Sequence, residues 1–339
     1  MSRVAIILTA LALALAGVFV YLFAGKGFAS KTPETVVVTL EAGPSQPRVS
    51  LGEAGLDPQA VAAAVSYAAT RNTRALVVGR GGHIVFEKYW DGTSADTAVD
   101  PGFAPVLAAI AVGTALNDRL IMSLDAPLSD YLPEGGGTQG TITLRELLAQ
   151  DPAGMSVGET TDYLAFVLER VTSQKYQTLL VERLWKPLEA GPIKFQVTDN
   201  RLRPGGVSAG CCVRARIGDW MRVGELLAHD GVFQGNQFTP PRYVHLMLRP
   251  AHKDSPRGYY TRVDGTFASH DVVWLEGHDQ QRLWIVPSLR LTILRTGGAP
   301  SQSQGWDEAM IPDSIIRGTS GWQPRAAGEG VDPKKFAPH

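Results

Sequence analysis

Cysteine is nearly absent: two in 339 residues, and those are neighbours, Cys211 and Cys212. Their spacing gives no disulfide framework and no cysteine-based zinc motif. The expected state is two small, half-buried thiols, with a vicinal disulfide or redox pair as the alternative. Runs of like charge are missing too. Lys and Arg number 32 against 33 Asp and Glu, and five or six like charges never follow one another. No stripe of the kind that tracks a nucleic-acid backbone is present, so nucleic acid is not an expected partner. No compact H-x-x-x-H occurs, and no metal or other cofactor is expected. No repeat of fixed period appears, which argues against a solenoid.

Apolar residues are plentiful, at 44% of the chain, enough for one large core. One long apolar run stands at the N-terminus, where Val4 to Ala24 is uncharged between Arg3 and Lys26. About 20 such residues cross a bilayer, so residues 1–25 are read as a membrane anchor. A signal sequence cleaved near Gly27-Phe28-Ala29 is the alternative. The expected location is the inner membrane, single-pass, with the bulk of the chain facing the periplasm or the outside. Cleavage would instead release it to the periplasm. Residues 26–55, rich in Gly, Pro and Ser around one β-like run, read as a linker. Residues 56–318 carry the periodic segments of one domain, and 319–339 read as a disordered tail.

Within the domain, Asp57 with Pro58 opens a helix. RALVVGRGGHIVFEKYW follows as two strands about a Gly81-Gly82 turn. Residues from Val106 to Leu116 are apolar all round, which predicts a helix buried on every side. Helical periodicity returns in 142–149, 162–171, 176–185 and 218–231. From Asp271 onward short β-rich runs are broken by Gly, Pro and Ser, and GWDEAMIPDSIIRG closes as a helix. The order predicts an α/β (α+β) domain: an antiparallel sheet built from both chain ends, flanked by helices, with a helical region inserted.

Four segments in order resemble the serine β-lactamase and penicillin-binding-protein-like hydrolases, specifically the class C branch. They are LNDRLIMSLDAPLSDYLPE with ITLRELLAQDPAGM, then DYLAFVLERVTSQKYQTLLVERLWKPLEAG, then GGVSAGCCVRARIGDWMRVGELLAHDGVFQG, then GHDQQRLWIVPSLRLTILRTG. The resemblance implies the β-lactamase/transpeptidase-like fold and a serine acylated at the start of the buried helix. In such hydrolases an S-x-x-K motif places a lysine three residues on, next to the hydroxyl whose proton it takes. In this register the serine and lysine positions fall on Gly102 and Pro105. A second motif, Y-x-N, falls on Gly158-Glu159-Thr160. The third, K-[ST]-G or H-x-G, falls on His278-Asp279-Gln280. No S-x-x-K, Y-x-N or K-[ST]-G occurs anywhere in the chain.

Two other stretches bear on chemistry. Gly206-Val207-Ser208-Ala209-Gly210 is a literal G-x-S-x-G, but it lacks the preceding apolar strand and following helix, so Ser208 is a weak alternative nucleophile. The pairs His270-Asp271 and His278-Asp279 would need to converge to hold a metal. The reading that results is a membrane-tethered homologue without catalysis. Phe103, Thr160, His278, Asp279 and Gln280 would line a cleft that binds or scaffolds a peptide, a cell-wall fragment or a protein partner. A hydrolase with a non-standard nucleophile and a structural subunit of a membrane complex are the alternatives.

Overall fold

The computed structural model describes residues 34–132, 139–198, 203–253, 255–263 and 266–324. The chain divides into Met1–Glu34 and Thr35–His339, and the fold below is that of the second unit. Among the described residues no helix is long and apolar enough to cross a membrane. The expected anchor, Val4 to Ala24, lies outside them.

Along the chain come β1 (Thr35–Val38), α1 (Pro58–Ala69), β2 (Thr73–Arg80), β3 (His83–Tyr89), β4 (Ala98–Val99) and α2 (Ala104–Asn117). The helical region holds α3 (Leu128–Tyr131), α4 (Leu144–Ala149), α5 (Val157–Thr172) and α6 (Tyr176–Leu180), the last running into a π turn, Val181–Trp185. Then follow β5 (Ile193–Gln196), β6 (Ala215–Arg216), α7 (Ile217–Ala228), β7 (Val232–Phe233), β8 (Asn236–Gln237) and α8 (Pro241–Met247). The chain closes with β9 (Val273–Glu276), β10 (Arg282–Val286), β11 (Leu291–Gly297) and α9 (Met310–Arg317).

The central sheet is antiparallel with order β3-β2-β11-β10-β9, built from both ends of the domain as expected. Strand periodicity of two sorts its side chains. Leu76, Val78, Trp284, Val286 and Ile293 face α1 and α9. Ala75, Val77, Leu283, Ile285 and Leu294 join the core around α2 and α7. α2 is buried from Val106 through Ala115, all at or below 9% exposure, so its uniform apolarity is matched by neighbours on every side.

Local signals explain the helix starts. Asp57 accepts from Gln59 N at 2.9 Å and caps α1. Thr143 with Glu146 and Ser156 with Glu159 form reciprocal capping boxes on α4 and α5.

Two segment readings differ from the structure. Part of the expected linker is docked, because β1 pairs antiparallel with β5 and Arg48 pairs with Glu87 at 3.0 Å. The first residues of the expected tail are docked as well. Ser320 N donates to Gly55 O at 2.7 Å, and Arg80 reaches Ser320 O at 2.6 Å. In both places backbone pairing with residues far away in sequence fixes what composition reads as loop. Cys211 and Cys212 form a vicinal disulfide, the alternative and not the expected pair of thiols.

Candidate functional site

The start of α2 faces a cleft of about 140 Å³. Gly102, Phe103, Pro105 and Val106 form one wall, and Gln150 after α4 and Val157 at the start of α5 form the second. Leu275 and Glu276 of β9 close a third side, and Arg257, Tyr260, Thr261 and Arg262 roof it from a loop. Sequence reasoning missed that loop, which has no helical or strand period; its signal is SPRGYYTR, two cations about paired tyrosines.

Gly102 has φ of +88°, a conformation that costs an L side chain energy. A Cβ there would lie 3.3 Å from His278 Cδ2, 3.3 Å from His278 N and 3.4 Å from Gly277 Cα. The position that the resemblance gives to a nucleophile is thus a turn pressed against the backbone before β10. Its N–H is held by Asp100 Oδ1 at 3.1 Å. Pro105 sits in the first turn of α2, where its missing N–H leaves no intrahelical bond unmade.

Phe103 is turned inward, 2% exposed and edge-on to Trp220 at 5.7 Å, so it floors the cleft without filling it. Thr160 is also buried. Its hydroxyl donates to Val157 O at 3.0 Å and accepts from the Tyr260 hydroxyl at 2.8 Å, which corrects the expectation that it opens into the cleft. Tyr260 Oη is also 3.0 Å from Leu147 O, and burial pushes its phenol up, so it stays protonated. No phenolate is available there as a base. Gly158 lies in the first turn of α5 against Gly210.

His278 is exposed beside Gly102, outside the cleft wall, with Nδ1 3.0 Å from Asp279 Oδ2. Gln280 turns away: its Oε1 accepts from Arg282 Nη2 at 2.5 Å. The carbonyls of Asp279 and Gln280 are held by Arg295 Nη1 at 2.8 and 3.0 Å. Arg295 is fully buried, and burial brings its guanidinium down to about 10. The third-motif residues therefore build a clasped turn, and of them only His278 approaches α2.

The other candidates do not assemble. Ser208 is not a lining residue; its N–H donates to Gln196 O at 2.9 Å, and a disulfide, not a helix, follows it. Asp271 accepts from Ser269 and Ser288, which uses it as a turn cap. Among the described residues no group of three His, Cys, Asp or Glu is placed to hold a metal ion.

Around the cleft the charges are Arg257, Arg262 and Glu276, the last two 3.7 Å apart. The Arg257 side chain is exposed and makes no ion pair with the described residues. The lining holds no serine, cysteine or lysine.

No family model matches the chain. The 6-aminohexanoate-dimer hydrolase of Paenarthrobacter ureafaciens is 27% identical over 163 residues, covering 41% of this chain. The match spans 38% of that relative's length. Among solved structures, a Bacillus anthracis protein assigned as a 6-aminohexanoate-dimer hydrolase superposes with TM-score 0.67 at 14% identity, over 88% of this chain and 93% of its own. A Bacteroides dorei DSM 17855 protein assigned as a β-lactamase gives 0.62 at 17% identity, over 78% and 99%. With this sheet order, buried helix and cleft, the chain has the fold of the β-lactamase and penicillin-binding-protein-like serine hydrolases.

Proposed function

We propose that this is a non-catalytic member of that structural class, which uses the cleft at the start of α2 to bind a peptide or cell-wall fragment bearing a free carboxylate. The observation that carries the reading is the pairing of an open cleft with Gly102 and Pro105 where acylation would need serine and lysine. A nucleophile needs a hydroxyl or thiol with a base in hydrogen-bond reach, and the two hydroxyls of the lining, Tyr260 and Thr261, donate instead to Thr160 Oγ1 and Met247 O. Arg257, exposed and without an acidic partner among the described residues, supports an anionic group at the mouth. On this reading Val4 to Ala24 holds the domain at the membrane on its outer side.

The test has two arms. The full chain in detergent is incubated with a fluorescent penicillin and a fluorophosphonate and read by intact mass, with no adduct expected. A short peptide with a free C-terminal carboxylate is then titrated by calorimetry against the chain and against Arg257→Glu, with saturable binding expected only in the former. A stoichiometric adduct mapped to one residue would overturn the reading. Slow turnover alone would not, because binding and fixed dipoles leave roughly 10³–10⁴-fold over water without a nucleophile.

A further inference from the structure

Behind the loop that roofs the cleft lies a second hollow, of about 400 Å³. Tyr260 and Arg262 face the cleft, while Arg249, His252, Lys253 and Tyr259 line the hollow, whose far wall is Arg145 of α4. The stretch from Arg242 to Arg262 contains five Lys or Arg and two His against one acid, Asp254, in a chain of formal net charge −1. Spread over twenty-one positions these cations form no run; the fold places Arg249 and Lys253 on the hollow and Arg257 and Arg262 on the cleft.

Two described acids that reach this region, Asp125 and Asp151, are engaged. Asp125 takes Arg145 in a two-pronged pair, Nε to Oδ1 at 2.6 Å and Nη2 to Oδ2 at 3.0 Å. Asp151 Oδ2 lies 2.5 Å from His252 Nε2. Arg145 Nη1 donates to the Tyr259 hydroxyl at 3.0 Å. Among the described residues Arg249 and Lys253 have no acidic partner.

The backbone between the two spaces is fixed. Ala251 N donates to Arg257 O at 2.8 Å, Gly258 N to Thr261 O at 3.1 Å and Tyr259 N to Met247 O at 3.2 Å. A Cβ on Gly258 would lie 2.6 Å from Thr261 Oγ1 and 2.8 Å from Arg249 O, so glycine is what lets these strands of loop close together.

We propose that this hollow binds a phosphate group. Two cations without counter-ions among the described residues, on a loop held by these backbone bonds, match a group that carries two charges, and an arginine fork suits its oxygens. A carboxylate would leave one cation unanswered. Arg249 and Lys253 take the anionic oxygens, while Arg145, already neutralised by Asp125, sets the floor through Tyr259. The inference is independent of what the cleft holds.

The experiment titrates the full chain in detergent with inorganic pyrophosphate at low ionic strength, and repeats it with Arg249→Glu/Lys253→Glu and with Lys88→Glu on β3, the opposite edge of the sheet. Saturable binding is expected. It should weaken by about tenfold or more in the double variant and be unchanged by Lys88→Glu. Melting temperatures check that each variant is folded, and Arg249→Gln/Lys253→Gln carries the same test if the charge reversals melt low. A second arm uses vesicles of phosphatidylcholine with and without phosphatidylglycerol. A gain from phosphatidylglycerol that the double variant abolishes makes a lipid headgroup the source of the phosphate. Variant-sensitive binding of pyrophosphate alone makes the source soluble. No saturable binding in either arm, or an equal loss with Lys88→Glu, overturns the site.

Discussion

If Gly102 is a turn residue and not a vacant catalytic position, putting the serine back must damage the protein. At φ of +88° a side chain costs about 1–3 kcal/mol. Its Cβ must also fit at 3.3 Å from His278 N and 3.4 Å from Gly277 Cα, and these are backbone atoms that cannot swing aside. Pro105 is different: it is half-buried, in the first turn, and lines the cleft, so a lysine there has room. Pro105→Lys should therefore stay within about 1 kcal/mol of the parent, the loss being the proline's restriction of the unfolded chain. Gly102→Ser, and Gly102→Ala equally, should lower the melting temperature by about 5 °C for a domain of this size. The double change Gly102→Ser/Pro105→Lys should take no acyl adduct from a fluorescent penicillin in an intact-mass assay. Full stability with serine at 102, or a stoichiometric adduct, would show that the turn relaxes into the helix and would refute the argument.

Three further outcomes follow from other contacts. Arg203 has a fully buried side chain, paired with Asp162 at 3.1 Å and Glu169 at 3.2 Å, so Arg203→Met removes the cation that these two carboxylates share and should cost about 3–5 kcal/mol in urea denaturation. Adding Asp162→Asn and Glu169→Gln should recover most of it. Ser156→Ala removes the cap of α5 and should cost about 1 kcal/mol, read from the same denaturation curves. Hydrogen bonding to Glu225 holds His229 above its ordinary value of about 6.5, against burial. Because the folded value is the higher, this stabilisation is complete below about pH 6.5 and fades as pH rises through the folded value. The urea midpoint of the parent should fall as pH rises above about 6.5, and His229→Gln should flatten that fall.

Local chemistry was legible in the sequence wherever it is written within a few residues. Asp57-Pro58, the Gly81-Gly82 turn and the all-round apolarity of α2 each name a structure that exists. Pairings between distant residues were not legible. The run at 35–38 reads as a short β segment in a linker, and nothing in it names Ile193–Gln196 as its partner. Arg295 sits in a strand otherwise read as apolar. Its burial makes sense only once the carbonyls of Arg71, Asp279, Gln280 and Gly298 are seen to converge on it. The site divides the same way: Gly102, Phe103 and Pro105 were placed by register, whereas the roof, 257–262, was invisible because its residues meet the cleft only through the fold.

The same division runs through α2 itself. In α2 the residues from Val106 to Ala115 carry the packing, and truncating one such side chain costs about 2–5 kcal/mol for the larger aliphatics. The two positions that the resemblance assigns to chemistry, 102 and 105, are half-exposed and contribute little to that packing. Pro105 can change without disturbing that core, whereas Gly102, just before the helix, is held by its turn. Phe103, between them, belongs to the packed set through Trp220, which in turn stacks edge-on with Trp185 at 6.0 Å. The buried face of α2 thus fixes the cleft wall, and of positions 102 and 105 only the latter has room for a larger side chain.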